Sequence, residues 1–313
     1  CRVLLSVNAE RALPVYHTHI RFAILKKRSN AWRNSSMTCK RVEAHAKVNL
    51  TLHIAARRPD GYHDIETVMK TIPLHDTVTV FARDSGISID CTARYVPTDG
   101  RNIAYKAAKL FFNETGITGG AHMKIVKRIP VCGGLGGGST DAAAVINALD
   151  VVYKTKMTVG DKQRLAAVLG SDVPFFIDGK TAFCTGRGER LEPLTDNLSC
   201  GFGAAVWGLG ASTAAMYAEV DKAERPYRSS DIVIKALETN DFELLCGSIF
   251  NDFEPVCNKL RFETAHLKTE LLKSGASAAM LSGSGASVYG IFETQEIADR
   301  IISDVKAKRH AKR

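Results

Sequence analysis

The run Lys127-Arg-Ile-Pro-Val-Cys-Gly-Gly-Leu-Gly-Gly-Gly-Ser-Thr-Asp-Ala-Ala-Ala-Val-Ile-Asn-Ala-Leu149 constrains this chain more than any other stretch. Five glycines fill the six positions from Gly133 to Gly138, with only Leu135 between them. Glycine tolerates positive φ and lets a backbone approach another molecule with no Cβ in the way. Ser139 and Thr140 then offer N-cap hydroxyls, and Val145, Ile146, Leu149 and Val152 recur at helical spacing up to Tyr153. A helix from about Asp141 is therefore expected to spring from the loop. Its free N–H groups and the positive end of its dipole would face whatever the loop wraps, and a phosphate suits such a place well.

Two common phosphate motifs do not match. Gly133 and Gly138 have Walker A spacing, but Ser139 stands where that motif needs lysine, and the same serine replaces the third glycine of a dinucleotide fingerprint read from Gly134. Pro130 argues against a central strand running straight into the loop. A glycine linker would not be followed at once by an alanine-rich apolar helix, so the loop reads as a phosphate cradle of another kind.

The rest of the chain is that of an ordinary globular protein of one large or two medium domains. No apolar run approaches the roughly 18 residues that a membrane helix needs. The eight cysteines are scattered, with no C-x-x-C pair, which reads as reduced thiols in a cytosol-like compartment and no zinc site. The net charge of +9 suggests nucleic acid until its distribution is considered. Residues 1–41 hold nine Lys/Arg and one acid, whereas the remainder holds 33 basic against 32 acidic residues. A nucleic-acid binder would be expected to carry its basic stripe on the folded body. Residues 1–41 read as a basic extension outside the fold. Either they are a transit peptide of the kind that directs proteins to a plastid-type organelle, or Met37 is the true start of a cytoplasmic protein.

From Val42 to Ile54, apolar residues alternate with polar ones, predicting a half-buried strand with Lys47 and Asn49 on one face. On this segment alone, that face reads as the solvent side of an edge strand. After the turn Arg57-Arg-Pro-Asp-Gly61 come two strand-like runs, Ile65 to Ile72 and Thr77 to Phe81, then a strand at Ile87 to Cys91. A helix is expected over Asn102 to Phe112, a strand over Met123 to Val126, and a helix over Lys162 to Leu169 closed by Gly170. Asp172 follows in a turn. Past a junction near Leu194 to Cys200 come a strand at Gly203 to Trp207 and helices at 213–220, 231–238 and 241–249. The strands at 278–281 and 286–292 enclose a glycine turn, and a last helix starts near Gln295. Strands first, then helices without a βαβ rhythm, make this α+β.

Three segments in this order resemble the signature of the GHMP small-molecule kinases: Ala46-Lys-Val-Asn-Leu50, the loop from Pro130 to Ala144, and Leu281-Ser-Gly-Ser-Gly-Ala286. Arg58-Pro-Asp-Gly-Tyr-His63 and Leu169-Gly-Ser-Asp-Val-Pro-Phe175 narrow the resemblance to the branch acting on a cytidine diphosphate methylerythritol in the non-mevalonate isoprenoid route. The resemblance implies a two-domain α+β fold with an active cleft between the domains. The first, over 42–197, would be like domain 2 of ribosomal protein S5, and the second, over 198–313, ferredoxin-like. It implies ATP and Mg²⁺, and transfer of the γ-phosphate to the 2-hydroxyl of the methylerythritol unit. Asp172 would be the catalytic carboxylate and Lys47 the cation beside it. Pro130, Gly133, Gly134, Leu135, Gly136, Gly137, Gly138, Ser139 and Thr140 would hold ATP, with Asn102 and Lys127 near the adenine. Ser139 or Thr140 would reach Mg²⁺. Asn49, Tyr62, His63, Thr213 and Tyr217 would bind the cytidylyl substrate, with the base in an aromatic sandwich. Gly283 to Gly285 either close the cleft from the second domain or serve only as a turn.

Two rivals remain at this stage. Another GHMP kinase, for homoserine, mevalonate or a sugar, would share Lys47 and the loop but have no use for Tyr62 and His63 as a base clamp. An RNA-binding protein using the S5-like domain is disfavoured by the neutral body. The expected partners are therefore ATP and a small molecule, with neither nucleic acid nor membrane, in a monomer or homodimer.

Overall fold

The computed structural model of the chain describes residues 38–208, 212–222 and 225–311; the basic segment before Thr38, with both readings of it, lies outside them. In order, the elements are β1 (Cys39–Arg57), β2 (His63–Arg83), β3 (Gly86–Cys91), α1 (Ile103–Thr115), β4 (Gly120–Val126), α2 (Gly137–Tyr153), α3 (Val159–Ala167), α4 (Phe175–Asp178), β5 (Ala182–Thr185) and β6 (Arg190–Pro193). Then follow β7 (Gly201–Val206), α5 (Thr213–Val220), α6 (Asp231–Thr239), α7 (Phe242–Ser248), β8 (Phe250–Asn251), α8 (Glu254–Leu260), α9 (Phe262–Lys273), β9 (Ala278–Leu281), β10 (Ser287–Phe292) and α10 (Gln295–Ala311). The first sheet runs β3-β4-β2-β1-β8, with the β5–β6 hairpin joined through β2, and the second runs β7-β10-β9. This is the expected α+β architecture.

The alternation in β1 does bury its apolar set, with Ala46, Val48 and Leu50 fully covered. The polar set is buried as well, contrary to the edge-strand reading: Lys47 is 4% and Asn49 3% exposed. The cause is tertiary: on the side away from β2 the glycine loop lies along β1 here, with Lys47 N–H bonded to Leu135 O and Gly136 against the Lys47 side chain, while β8 pairs only with Thr51 and Leu52. The two strand-like runs after the turn are a single strand, β2, whose pairing jumps from Ala46↔Ile72 to His45↔His75. Pro73 and Leu74 are accommodated in that irregularity, where proline's missing N–H disrupts no ladder bond.

Helix α2 starts at Gly137, four residues before the expected Asp141, with Gly136 as N-cap at φ +72°. Ser139 and Thr140 therefore sit inside its first turn and cap nothing. Its alanines let it lie close to its neighbours, and Ala142, Ala143, Val145, Ile146 and Leu149 join the main core with Phe111, Met123 and Val80. Helix α3 is set by a Thr158–Asp161 capping box and ends at Ala167, short of Gly170. Helices α4, α8 and α9 were not expected. In α9 only Thr264, Leu267 and Leu271 are buried, too thin a stripe to stand out in sequence. Near the expected junction, Leu194 N–H donates to Thr181 O and Asn197 N–H to Leu237 O, each at 3.0 Å. No helix among the described residues is long and apolar enough to cross a membrane.

Candidate active site

The glycine loop is held in place from both sheets. Lys47 N–H on β1 donates to Leu135 O at 3.0 Å, Ser287 N–H on β10 to Gly133 O at 3.0 Å, and the Ser282 hydroxyl to Gly134 O at 3.0 Å. Asn251 on β8 in turn holds the turn that faces the loop, donating to Leu281 O at 2.8 Å and Gly283 O at 2.9 Å. Gly283, Ser284 and Gly285 line the cleft as well as making the turn. Two loop glycines cannot be anything else. A Cβ on Gly134 (φ +80°) would lie 2.1 Å from Ser282 O, and one on Gly136 would lie 2.4 Å from the Phe176 ring. The first helical bond of α2 is Thr140 N–H to Gly136 O at 2.9 Å, and no side chain caps that end. The preceding amides at Gly137, Gly138 and Ser139 thus end a 17-residue helix in the arrangement that binds anions. Of the two hydroxyls expected near a cation, Ser139 is partly exposed and Thr140 buried, so only the first is open to an ion.

An open cleft of about 1010 Å³ begins at this loop, with Gly134 and Gly136 in its wall. The Lys47 ammonium lies 3.7 Å from the Asp172 carboxylate, although 125 residues separate them in the chain. Lys47 is almost fully buried while the Asp172 side chain is 38% exposed to the cleft. A relay fixes the lysine: its Nζ donates to Asn49 Oδ1 at 2.7 Å, Asn49 Nδ2 donates to the Thr67 hydroxyl at 2.8 Å, and Thr67 donates to Thr51 O at 2.5 Å. Asn49 thereby lines the cleft as expected, but its amide is occupied in orienting Lys47. Thr67 was missed, since nothing in a β-strand threonine marks it as the partner of an asparagine 18 residues away. The charge of Asp172 reaches further. Burial first, and then that charge, push the Tyr217 hydroxyl up to about 12 and the Cys184 thiol up to about 12.

Tyr62, His63, Thr213 and Tyr217 line the same cleft. His63 is stacked on Tyr217, with ring centroids 4.6 Å apart and planes 8° from parallel, and its Nε2 lies 2.7 Å from Asp221 Oδ1. At that separation no third ring fits between the two, so they are not opposite slices of a sandwich. Tyr62 stands apart, 56% exposed, with the Arg187 guanidinium 5.0 Å from its ring centre. Arg187 and Arg57 also line the cleft, and neither carried a motif by which sequence could single it out. Thr213 reaches the glycine turn through Ser284, hydroxyl to hydroxyl at 3.2 Å.

Two expected residues lie elsewhere. Asn102 is the N-cap of α1: its Oδ1 accepts from Ala104 N–H at 2.8 Å and its Nδ2 donates to Pro97 O at 2.7 Å, so its side chain is consumed by the helix end and does not line the cleft. The Lys127 ammonium points inward, 2.5 Å from Asp76 and 2.8 Å from Asp141, and 3.3 Å from Gly137 O at the start of α2. It therefore braces the phosphate loop from beneath. Lys127 also borders a second hollow, formed with Thr92 to Tyr95 and Arg128 to Pro130. Burial opposes the lysine's charge, but Asp141 and Asp76 outweigh it and hold the Lys127 pKa above its ordinary value.

Asp141 is raised too, from 3.8 to about 7, chiefly through burial and, against the pull of Lys127, the like charge of Asp76. Between those two values the folded protein holds a proton that the unfolded chain has lost. This contribution to stability is therefore greatest at the acid end and declines as pH rises through about 7. Denaturant unfolding without nucleotide, at pH 5 and pH 8, should accordingly show the wild type losing about 3 kcal/mol relative to an Asp141→Asn variant. Parallel pH profiles for the two proteins would refute the assignment.

A phosphate loop at a helix N-terminus, opening on a cleft where a lysine and a carboxylate meet, defines a small-molecule kinase of the GHMP class. The GHMP kinases N terminal domain matches residues 102–180, and the GHMP kinases C terminal domain matches residues 233–311. A relative from Bacillus pumilus, named 4-diphosphocytidyl-2-C-methyl-D-erythritol kinase, is 38% identical over 84% of this chain and 92% of its own length. A crystal structure of 4-(cytidine 5'-diphospho)-2C-methyl-D-erythritol kinase superposes with a TM-score of 0.73 at 33% identity, covering 86% of this chain and 96% of that one. The homoserine kinase of Cytophaga hutchinsonii shares the fold at TM-score 0.64 and 19% identity, over 90% of this chain and 93% of its own. The chain belongs to the GHMP kinases and, within them, to the 4-diphosphocytidyl-2-C-methyl-D-erythritol kinase family.

Proposed function

We propose that this protein transfers the γ-phosphoryl group of ATP to the 2-hydroxyl of 4-diphosphocytidyl-2-C-methyl-D-erythritol. The observation that carries the reading is the 3.7 Å approach of Lys47 and Asp172 in the cleft that begins at the glycine loop. Phosphoryl transfer asks a protein mainly for positioning and charge stabilisation. The amides of the loop and of the first turn of α2 hold the phosphates, and Lys127 keeps that turn rigid from below. Ser139, with the phosphate oxygens and water, would hold Mg²⁺, which supplies charge neutralisation between the phosphates. Asp172 accepts the proton of the attacking hydroxyl. Lys47 stabilises that carboxylate as an anion and is itself kept in place by Asn49 and Thr67.

The remaining lining of the cleft favours the cytidylyl substrate over homoserine. Tyr62 and the partly exposed Tyr217 ring, backed by the buried His63, offer aromatic surface to a base, and Arg57 and Arg187 offer guanidinium groups to a diphosphate. A small amino acid would leave all of these unused. The site needs residues from both 42–197 and 198–313, the two domains we delimit, and is compatible with a monomer or a homodimer acting on small molecules, with no nucleic acid or membrane. We place the protein in the cytoplasm, or in a plastid-type organelle if residues 1–40 are a transit peptide. A coupled assay of ADP release decides the substrate. Turnover with the cytidylyl methylerythritol and none with homoserine is expected, and the reverse order would overturn the proposal.

A further inference from the structure

The bulge that absorbs Pro73 brings together three side chains with no place in the mechanism above. Glu43 and His45 lie on the same side of β1, and His75 is the strand partner of His45 on β2. One ligand atom from each, two imidazole nitrogens and a carboxylate oxygen, all lie within 4.8 Å of one another. The Glu43 carboxylate is 3.7 Å from His45 Nε2 and 3.9 Å from His75 Nε2. The two rings are 5.2 Å apart at 57°.

What turns this proximity into a site is the state of the other two nitrogens. His45 Nδ1 lies 3.2 Å from Ile72 O and His75 Nδ1 2.8 Å from Pro73 O. A carbonyl can only accept, so each Nδ1 carries the hydrogen, and each neutral ring keeps its lone pair on Nε2. Both lone pairs are left on the side of the same carboxylate. Histidine ligands of metals are oriented in this manner, with the non-ligating nitrogen donating to a backbone carbonyl. Both carbonyls come from the irregular stretch of β2, so the bulge supplies the orientation. Direct hydrogen bonds do not account for the cluster, because 3.7 and 3.9 Å exceed their range.

We infer that Glu43, His45 and His75 form a binding site for Zn²⁺, with water completing a tetrahedron. Two imidazoles and a carboxylate are a known zinc ligand set and a poor one for Mg²⁺, so this site and the nucleotide's cation do not compete. Bonds of about 2.0–2.1 Å put tetrahedral ligands about 3.3–3.4 Å apart. The carboxylate must therefore close by roughly half an ångström on each ring, which the largely exposed Glu43 can do by rotation, and the two ring nitrogens, within 4.8 Å of each other, by up to about 1.4 Å through rotation of the imidazoles. Scattered cysteines suggested no zinc site, and the histidines lie 30 residues apart in sequence, so only the β1–β2 register reveals this one. The ion would tie β1 to β2 two residues before Lys47 and one before Asp76.

The test uses the untagged full chain, stripped of metal and titrated with Zn²⁺ against a chromophoric chelator. One ion per chain is expected, with binding at least about ten-fold weaker in His45→Ala, His75→Ala and Glu43→Gln. Co²⁺ should give the visible absorption of a tetrahedral ion in the wild type and lose it in the double histidine variant. Zn²⁺ should raise the wild-type unfolding midpoint by about 2–4 °C and leave that of the double variant unmoved. Equal zinc affinity in the wild type and the double variant, as thiol binding at Cys39 or Cys132 would produce, overturns the site. So does a wild type that takes up no zinc from the chelator. Glu43→Gln, a change of one exposed atom, keeps the test valid if the histidine variants fold poorly.

Discussion

Asp172→Asn should lower turnover by about 10³-fold while leaving nucleotide affinity within a few-fold of wild type, because the general base is lost and the phosphate loop is untouched. The fold should survive. Asp172 is 38% exposed, and although its loss removes a partner from the buried Lys47 ammonium, Asn49 Oδ1 at 2.7 Å continues to accept from it. ADP release under saturating substrates and separate titration of a fluorescent nucleotide distinguish the two effects. Turnover within ten-fold of wild type would remove the carboxylate from the mechanism. Lys47→Met should be comparably inactive, with an added loss of stability, since it leaves Asn49 and Asp172 facing an apolar chain.

The second large effect concerns the loop itself. Gly134→Ala meets two penalties at once: a left-handed φ of +80°, and a Cβ 2.1 Å from Ser282 O, a backbone atom that cannot swing aside. Together these should cost about 3 kcal/mol of stability or displace the loop from the turn at Gly283. Either way the amides at the start of α2 lose their aim. The Michaelis constant for ATP should rise by about ten-fold or more, since each 1.4 kcal/mol of lost binding is a factor of ten. Gly247→Ala, in α7 and outside the cleft, is the control. Its φ is ordinary, and nothing lies within 4 Å of where its Cβ would be. Equal behaviour of the two variants would mean that the loop does not hold the phosphates.

The parts legible in sequence were those that short-range chemistry dictates. The glycine run announced a backbone site, and the alternation in β1 put Lys47 and Asn49 on one face, as the 2.7 Å bond between their side chains bears out. Helix α5 has its expected bounds, and α1, α6 and α7 and the strand pair β9–β10 lie within a few residues of theirs. Errors arose where a local signal had a distant owner. Ser139 and Thr140 have N-cap chemistry, but the helix begins at Gly137 because the chain reaches that point already pinned by Ser282 and Ser287. Asn102 caps α1 and does not line the cleft, and Lys127 turns inward because Asp76 and Asp141 await it there. Asp76 is 51 residues from its lysine, and no pattern in the sequence joins them.

By itself, then, the chain's sequence determined that a glycine loop would start a helix, that strands would precede helices, and that Lys47 and Asp172 carried a family's signature. Which polar groups are buried, which face which, and which are merely structural was decided by the pairing of β1 with β2, by the glycine loop lying along β1, and by the closure of the β9–β10 turn over that loop. The physical reason is one of range. Dihedral preference and hydrophobic period act over a handful of residues, whereas a charge or a lone pair finds its partner only when the folded chain brings distant segments within a few ångströms.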